Sequence, residues 1–180
     1  MESFPALRRY EEELSGFRSE KRRAERLAAR ALLLQVLGEN FTIVYTPEGR
    51  PCLATASGSE PTPWHLSISD TGPFVAMSLA PFAHGMDVEA YDPRALRLAR
   101  RFLSDDELRE FAPDARMATL LWSAKEAVFK RVEEQSDLTI SQIRLHRRTD
   151  LLLDATWPSA TQPVCVAGCY MPRFVLTFAK

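Results

Sequence analysis

Three groups of residues in the chain have types and spacings that could do chemistry. The first is Gly85-Met86-Asp87-Val88-Glu89. Read as a strand, this segment points Asp87 and Glu89 to the same side, roughly 7 Å apart. Two carboxylates on one face repel unless a cation or a basic group lies between them. Hard oxygen donors at that spacing suit Mg2+, which often takes one or two carboxylates and completes its shell from water and substrate phosphates. A solvent-facing strand whose charges find Arg or Lys partners is the plainer reading. The second group is Trp122-Ser123-Ala124-Lys125-Glu126-Ala127-Val128-Phe129-Lys130. Trp122, Glu126 and Lys130 recur at intervals of four and share one helix face. As a surface pair, Glu126 followed by Lys130 adds only about 0.3–0.5 kcal/mol, with Trp122 then in the core. The third group is Arg18, Arg22, Arg26 and Arg30, also spaced by four and flanked by Lys21 and Arg23. It reads as a solvated helix face with Glu20 and Glu25 as counter-charges, or as an anion-binding strip. Arg30 is the best candidate in the strip, because the shoulder of a core-facing side can hold a guanidinium rigid.

Elsewhere the chemistry-bearing residues stay silent. His65, His84 and His146 have no metal-site spacing, and Ser67, Ser69 and Ser78 show no His or Asp partners in the sequence. There is no glycine-rich phosphate loop.

The elements that must position these groups follow from periodicity and punctuation. Ser19 to Leu37 reads as a helix with Leu27, Ala31 and Leu34 facing the core and Gly38 as its stop. Phe41–Tyr45 is a strand, and Thr46 to Trp64, rich in Pro, Gly, Ser and Thr, reads as loop. Strands are predicted over His65–Ser69, Phe74–Leu79 and Met86–Glu89, with Asp70-Thr71-Gly72-Pro73 as a turn. Asp92-Pro93 starts a helix, Ser104 to Glu107 forms a capping box for the next, and Pro113 opens a third running to about Val132. Strands follow over Ile140–His146, Leu151–Ala155, Val164–Tyr170 and Arg173–Phe178. The order of helix, strands, helices, strands predicts an α+β fold with mainly antiparallel sheet. Two lobes, 1–90 and 91–180, would divide near Ala90–Arg94.

Composition narrows the class. The 180 residues are 46% hydrophobic and 26% charged, which excludes wholesale disorder, collagen and coiled coil. Lys+Arg 23 against Asp+Glu 24 gives a net charge of -1, and the average charge therefore argues for neither nucleic acid nor membrane as partner. No stretch approaches the ~18–20 apolar residues of a membrane helix, and Met1 to Leu14 shows no apolar signal-peptide core. Cys52, Cys165 and Cys169 are an odd set without paired spacing, which fits a reducing cytoplasm. Cys165 and Cys169, in an apolar run, read as buried small hydrophobes.

Taken in order, the pieces resemble one family. They are Gly49-Arg50-Pro51, Leu66-Ser67-Ile68-Ser69, Gly85 to Glu89, Arg101-Phe102-Leu103-Ser104 with Glu107, and Trp122 to Ala127 with Lys130. This set resembles the 4′-phosphopantetheinyl transferases of the two-lobed, surfactin-synthetase-activating type. The combination of Gly-x-Asp-x-Glu with Trp-x-x-Lys-Glu-Ala-x-x-x-Lys is specific, whereas neither half would be alone. The resemblance implies two pseudo-symmetric α+β lobes, the first serving coenzyme A and the second carrying the metal and lysine helix and docking the carrier. It implies Mg2+-dependent transfer of phosphopantetheine from coenzyme A to a serine of an acyl or peptidyl carrier protein, releasing adenosine 3′,5′-bisphosphate, by a cytoplasmic monomer. By position, Asp87, Glu89 and Glu126 match the metal carboxylates, and Glu126 also matches the base for the carrier serine. Lys130 matches the lysine at the pyrophosphate, Arg30 a basic residue at the 3′-phosphate with Arg18 beside it, and Arg50 and Pro51 the segment next to adenine. Ser69 and Asp70 fall in a further coenzyme A segment.

Two positions depart from the pattern. Asp70 stands where the family usually has a phosphate-contacting His. A carboxylate about 6 Å from a phosphate charge costs about 2–3 kcal/mol at an effective dielectric of ~20. The loop after Lys130, Arg131 to Asp137, lacks the glycines of many relatives. Asp70 motivates a second reading, a degenerate module that binds coenzyme A or carrier without turnover. A third reading is an interaction protein built on the basic Arg94, Arg97, Arg100 and Arg101 surface; in the transferase, that stretch with Phe102 and Leu103 would dock the carrier.

Overall fold

The structure, a computed structural model, describes residues 7, 10, 14–57, 62–132 and 138–180. The glycine-free segment 133–137, the stretch 58–61 and most of the N-terminal segment read for a signal peptide lie outside the described residues. The fold is α+β with antiparallel sheets packed against helices. The chain divides into two compact units, Met1–Ile68 with Val75–Pro81, and Ser69–Phe74 with Phe82–Lys180.

In the first unit, helix α1 (Glu20–Leu37) begins at Ser19, whose hydroxyl accepts from the Arg22 N–H, and ends at Gly38, whose N–H reaches Leu34 O. Of the expected stripe Leu34 is buried, while Leu27 and Ala31 are half-buried, and Ala29 and Leu33, with partly buried Leu37, join the core instead. The run Leu32-Leu33-Leu34 makes adjacent stripes look alike in the sequence, and packing against β1 (Phe41–Tyr45) and β2 (Pro51–Thr55) selects one. The segment expected to be loop thus contains β2. Its hairpin closes through Thr46 N–H to Arg50 O, with Gly49 at a positive φ of 88°. Pro51 is the first residue of β2, where a proline does least harm to a ladder. Strands β3 (His65–Thr71) and β4 (Phe74–Ala80) form a second pair, whose turn end, Ser69–Phe74, belongs to the second unit. Asp70 and Thr71 belong to the strand and not to the expected turn, which tightens onto Gly72, at φ 55°, and Pro73.

The second unit is built on an antiparallel sheet in the order β5-β9-β8-β7-β6, comprising β5 (Gly85–Ala90), β6 (Arg144–Arg147), β7 (Leu152–Thr156), β8 (Val164–Tyr170) and β9 (Phe174–Ala179). The division expected near Ala90–Arg94 falls inside this unit, because β5 pairs along its whole length with β9. The other edge of β5 is covered by side chains: the Val88 and Ala90 N–H groups donate to the hydroxyls of Ser69 and Thr71. Four helices follow β5. The expected helix at Asp92 is two short ones, α2 (Pro93–Arg97) and α3 (Ala99–Phe102). Then come α4 (Asp105–Phe111), with the capping box of Ser104 and Glu107 in place, and α5 (Ala115–Arg131). Asp114, not Pro113, opens α5, by accepting from the Met117 N–H. Ile140–Gln142 is a 3-10 turn rather than the start of a strand, held by its Thr139–Gln142 capping box. Phe102 and Leu103, expected to dock a partner, are buried in the core, where Phe102 meets Trp122 edge-on. Cys169 is exposed and Cys165 half-buried, because residues 165, 167 and 169 of β8 point away from α5 while Val164 and Val166 face it. No helix among the described residues is long and apolar enough to cross a membrane.

One charged pair sits inside this core. The Lys125 ammonium, with 0% of its side chain exposed, lies 2.8 Å from Glu107 Oε1 and donates to the carbonyls of Phe102 and Ile143, both at 2.6 Å. That uses all three of its donors. Glu107 is matched as fully: Oε1 also accepts from Leu145 N–H, and Oε2 from the Ser104 N–H and hydroxyl. The network ties α4, α5, the end of α3 and β6 together. Burial pulls the Lys125 ammonium below its usual range against the pull of Glu107. Burial pushes Glu107 up, but the hydrogen bonds from Lys125 and Ser104 and the Lys125 charge carry it below 4.5. A carboxyl lowered by folding stabilises the fold above its unfolded pKa and stops doing so as pH falls through the folded value. Glu107→Gln leaves a buried ammonium uncompensated. It should cost about 3–5 kcal/mol in urea unfolding at pH 7. It should also flatten the loss of stability expected below pH 4.5. An unchanged midpoint would show that the pair is dispensable.

Candidate active site

The site rests on a close approach. A Cβ on Gly85 would lie 1.9 Å from Ala127 O and 2.7 Å from Arg131 N. Only glycine lets β5 come this near to the backbone of α5. Strand alternation then turns Asp87 and Glu89 to the side of α5, and the helix answers each of them. Lys130 Nζ donates to Asp87 Oδ1 at 2.7 Å, with 28% of the lysine and 4% of the aspartate side chain exposed. Trp122 Nε1 donates to Glu89 Oε1 at 3.0 Å. The carboxylates do not face open solvent, and Lys130 reaches across to the strand. Trp122 packs on the core, as expected, and also orients Glu89.

Ser69, at the end of β3, completes the hold on Asp87. Its hydroxyl donates to Asp87 Oδ1 at 2.7 Å while accepting from the Val88 N–H at 3.2 Å. Oδ1 therefore receives two donors, whereas Oδ2 is buried and makes no hydrogen bond. Burial, and then the Asp87 charge, push the Glu89 carboxyl up to about 7, although the Trp122 hydrogen bond and Lys130 oppose this. Burial and Asp87 likewise raise Glu126, again against Lys130.

Among the described residues no three carboxylate, imidazole or thiol groups stand close enough together to hold a metal ion by themselves. Asp87 nonetheless fits a divalent cation. It offers a hard, buried oxygen with no partner, beside two carboxyls whose charge is disfavoured by burial and by the Asp87 carboxylate. Mg2+ requires only one or two protein carboxylates when phosphates and waters supply the rest.

The remaining sequence candidates lie in other places. Asp70 is exposed, and strand alternation turns it away from the side on which Ser69 meets Asp87. In the first unit, Arg18 is exposed and precedes the Ser19 cap, so it stands outside the helical stripe; Arg22 is exposed as well. Arg26 stacks on Tyr45, its guanidinium 3.4 Å from the ring centroid. Arg30 is buried, with its guanidinium 5.2 Å from the Tyr10 ring and donating to Arg26 O. Arg50 closes the β1–β2 turn, its N–H donating to the Thr46 hydroxyl, and Pro51 pairs with Tyr45. The second unit therefore assembles Asp87, Glu89, Glu126 and Lys130 with Ser69, while Arg18, Arg30, Arg50 and Pro51 belong to the first. Sequence reasoning missed the roles of Ser69 and Trp122 toward the carboxylates, although Trp122 lies four residues before Glu126 and the alternation of Ser67 and Ser69 in β3 was a usable signal.

Ser69→Ala removes a donor from a buried charge and should lower stability by about 1–3 kcal/mol in thermal or urea unfolding. A Ser69 that only contacts a ligand would leave ligand-free stability unchanged. No curated protein was found to match the chain. Residues 83–168, just under half of the chain and inclusive of β5, α5 and the whole carboxylate and lysine constellation, match the family model of the 4′-phosphopantetheinyl transferase superfamily.

Proposed function

We propose that the protein transfers 4′-phosphopantetheine from coenzyme A to a serine of an acyl or peptidyl carrier protein in a Mg2+-dependent reaction. The observation that carries this reading is the facing of Asp87 and Glu89 on β5 by Trp122, Glu126 and Lys130 on α5. The family match over the same residues supports it.

In this reading the first unit serves coenzyme A, through Arg30, Arg18 and the Arg50-Pro51 segment, and Ser69 works by holding Asp87. Asp87 would hold the cation through its unpartnered oxygen, with Glu89 and Glu126 as the further carboxylates that the family resemblance places at the metal, and the cation would supply Lewis-acid stabilisation of the pyrophosphate oxygens. Glu126, its carboxyl raised by burial, accepts the proton of the carrier serine as the serine oxygen bonds to the β-phosphorus. The bond from that phosphorus to the bridging oxygen breaks, and adenosine 3′,5′-bisphosphate leaves with its new negative charge facing Lys130. A lysine held beside the pyrophosphate stabilises charge that develops only as the bond breaks. Asp70, exposed and averted from Asp87, does not oppose this chemistry.

Helix α2 suits the carrier. It buries none of its residues. Leu96 and Leu98 are 41% and 42% exposed, among the exposed Arg94, Arg97, Arg100 and Arg101. Arg94 and Arg100 lean on Asp92 and Asp105, at 3.9 and 3.7 Å. An acidic partner with an apolar ridge fits this face, and the exposed leucines take the part expected of Phe102 and Leu103.

Intact-mass spectrometry of an apo carrier incubated with the protein, coenzyme A and Mg2+ should show a gain of one phosphopantetheine, abolished by chelator. Glu126→Gln should fold and lose roughly 10²–10⁴-fold in turnover. Binding of coenzyme A without transfer to any of several carriers would favour the non-catalytic binding module. Charge reversal at Arg97 and Arg101 should raise KM for carrier about tenfold and leave coenzyme A binding intact; an unaltered KM would show that this face is merely solvated.

A further inference from the structure

The carboxylate pocket already contains a cation: the Lys130 ammonium. It sits 2.7 Å from Asp87 Oδ1, and its charge is felt by Glu89 and Glu126 as well. The side chain is anchored on α5 and 28% exposed, so its head can leave Asp87 without unpacking the core. Asp87 has no such freedom. It is buried, and Ser69 pins Oδ1 from the other side. A divalent cation arriving at Asp87 brings a second positive charge against the ammonium at close range, and the two compete for the same carboxylate.

We propose that Lys130 is an internal counter-ion that occupies Asp87 in the substrate-free protein, weakens divalent-cation binding there, and is released when an incoming pyrophosphate offers it another anionic partner. This deepens the transferase reading and rests on it for the identity of the pyrophosphate. The consequence is synergy: the metal displaces Lys130 toward the substrate, and the substrate draws Lys130 off the metal's ligand. By linkage, each then tightens the other.

The test is calorimetric titration of Mn2+ into the substrate-free protein, with folding checked by circular dichroism. Lys130→Met should bind Mn2+ about tenfold more tightly than the wild type. Lys130→Arg, which keeps the charge, should stay close to the wild type. In the unaltered protein, saturating coenzyme A should tighten Mn2+ by a similar factor beyond the affinity of coenzyme A for the ion in free solution. Equal or weaker Mn2+ binding by Lys130→Met, or no binding by either protein, overturns the proposal. If that variant does not fold, the coenzyme A effect on the wild type decides: no tightening overturns it. Tighter Mn2+ binding in a protein that transfers nothing to any carrier would uphold the exchange while sinking the transferase reading.

Discussion

The site depends on how closely one strand can approach one helix. With a hydrogen at Gly85 in place of a methyl group, β5 lies against the backbone of α5 at Ala127 and Arg131. Asp87 and Glu89, two and four residues further on, are carried at the same spacing past the helix, where Lys130 and Trp122 meet them. A side chain at residue 85 would have to push apart two backbones, each locked in its own hydrogen-bond ladder, and neither can yield locally. The ion pair, the indole hydrogen bond and the burial of Asp87 all follow from this single approach.

The same helix is fixed from its other side by the reverse kind of interaction. Lys125 and Glu126 are neighbours in sequence and face different worlds. Lys125 turns into the core, to Glu107 and two carbonyls, while Glu126 turns to the carboxylate pocket. A buried ion pair gains little over a well-packed apolar pair, but each of its hydrogen bonds is directional. Four backbone groups, from residues 102, 104, 143 and 145, converge on this one pair. That convergence sets the rotation of α5 about its axis. The rotation in turn presents Trp122, Glu126 and Lys130 to β5.

Much of the second unit could be read from the sequence, because its signals are local. The Ser104 capping box and Val164–Tyr170 appear as expected. So does the one-sided placing of Asp87 and Glu89. The readings that failed needed tertiary information. β2 was hidden in a stretch whose turn residues outweighed its short apolar run, and only its pairing with β1 makes it a strand. The leucine run of α1 blurs its core face: Leu34 is buried as expected, but the packed row on the sheet is Ala29 and Leu33. Lys125 carried no role in the sequence beyond its place in the motif, yet it stands four residues after Leu121 and three before Val128, both buried, so a trace of its position was present. Its partner Glu107 was legible only as a cap. Ser69 was legible only as part of a ligand segment, since its bond to Asp87 spans two strands.

The electrostatics of the pocket explain why its neutral donors matter. Lys130 is in contact with Asp87, and its charge also acts on the Glu89 and Glu126 carboxyls. Ser69 and Trp122 donate hydrogen bonds without adding charge. They orient Asp87 and Glu89. Arginines in those two positions would neutralise the carboxylates. Burial and the Asp87 charge raise the Glu89 and Glu126 carboxyls, and one Asp87 oxygen is left with no partner. Keeping further negative charge away then becomes a structural requirement. The two-residue period of β3 meets it for Asp70, whose carboxylate falls on the face opposite to the Ser69 hydroxyl.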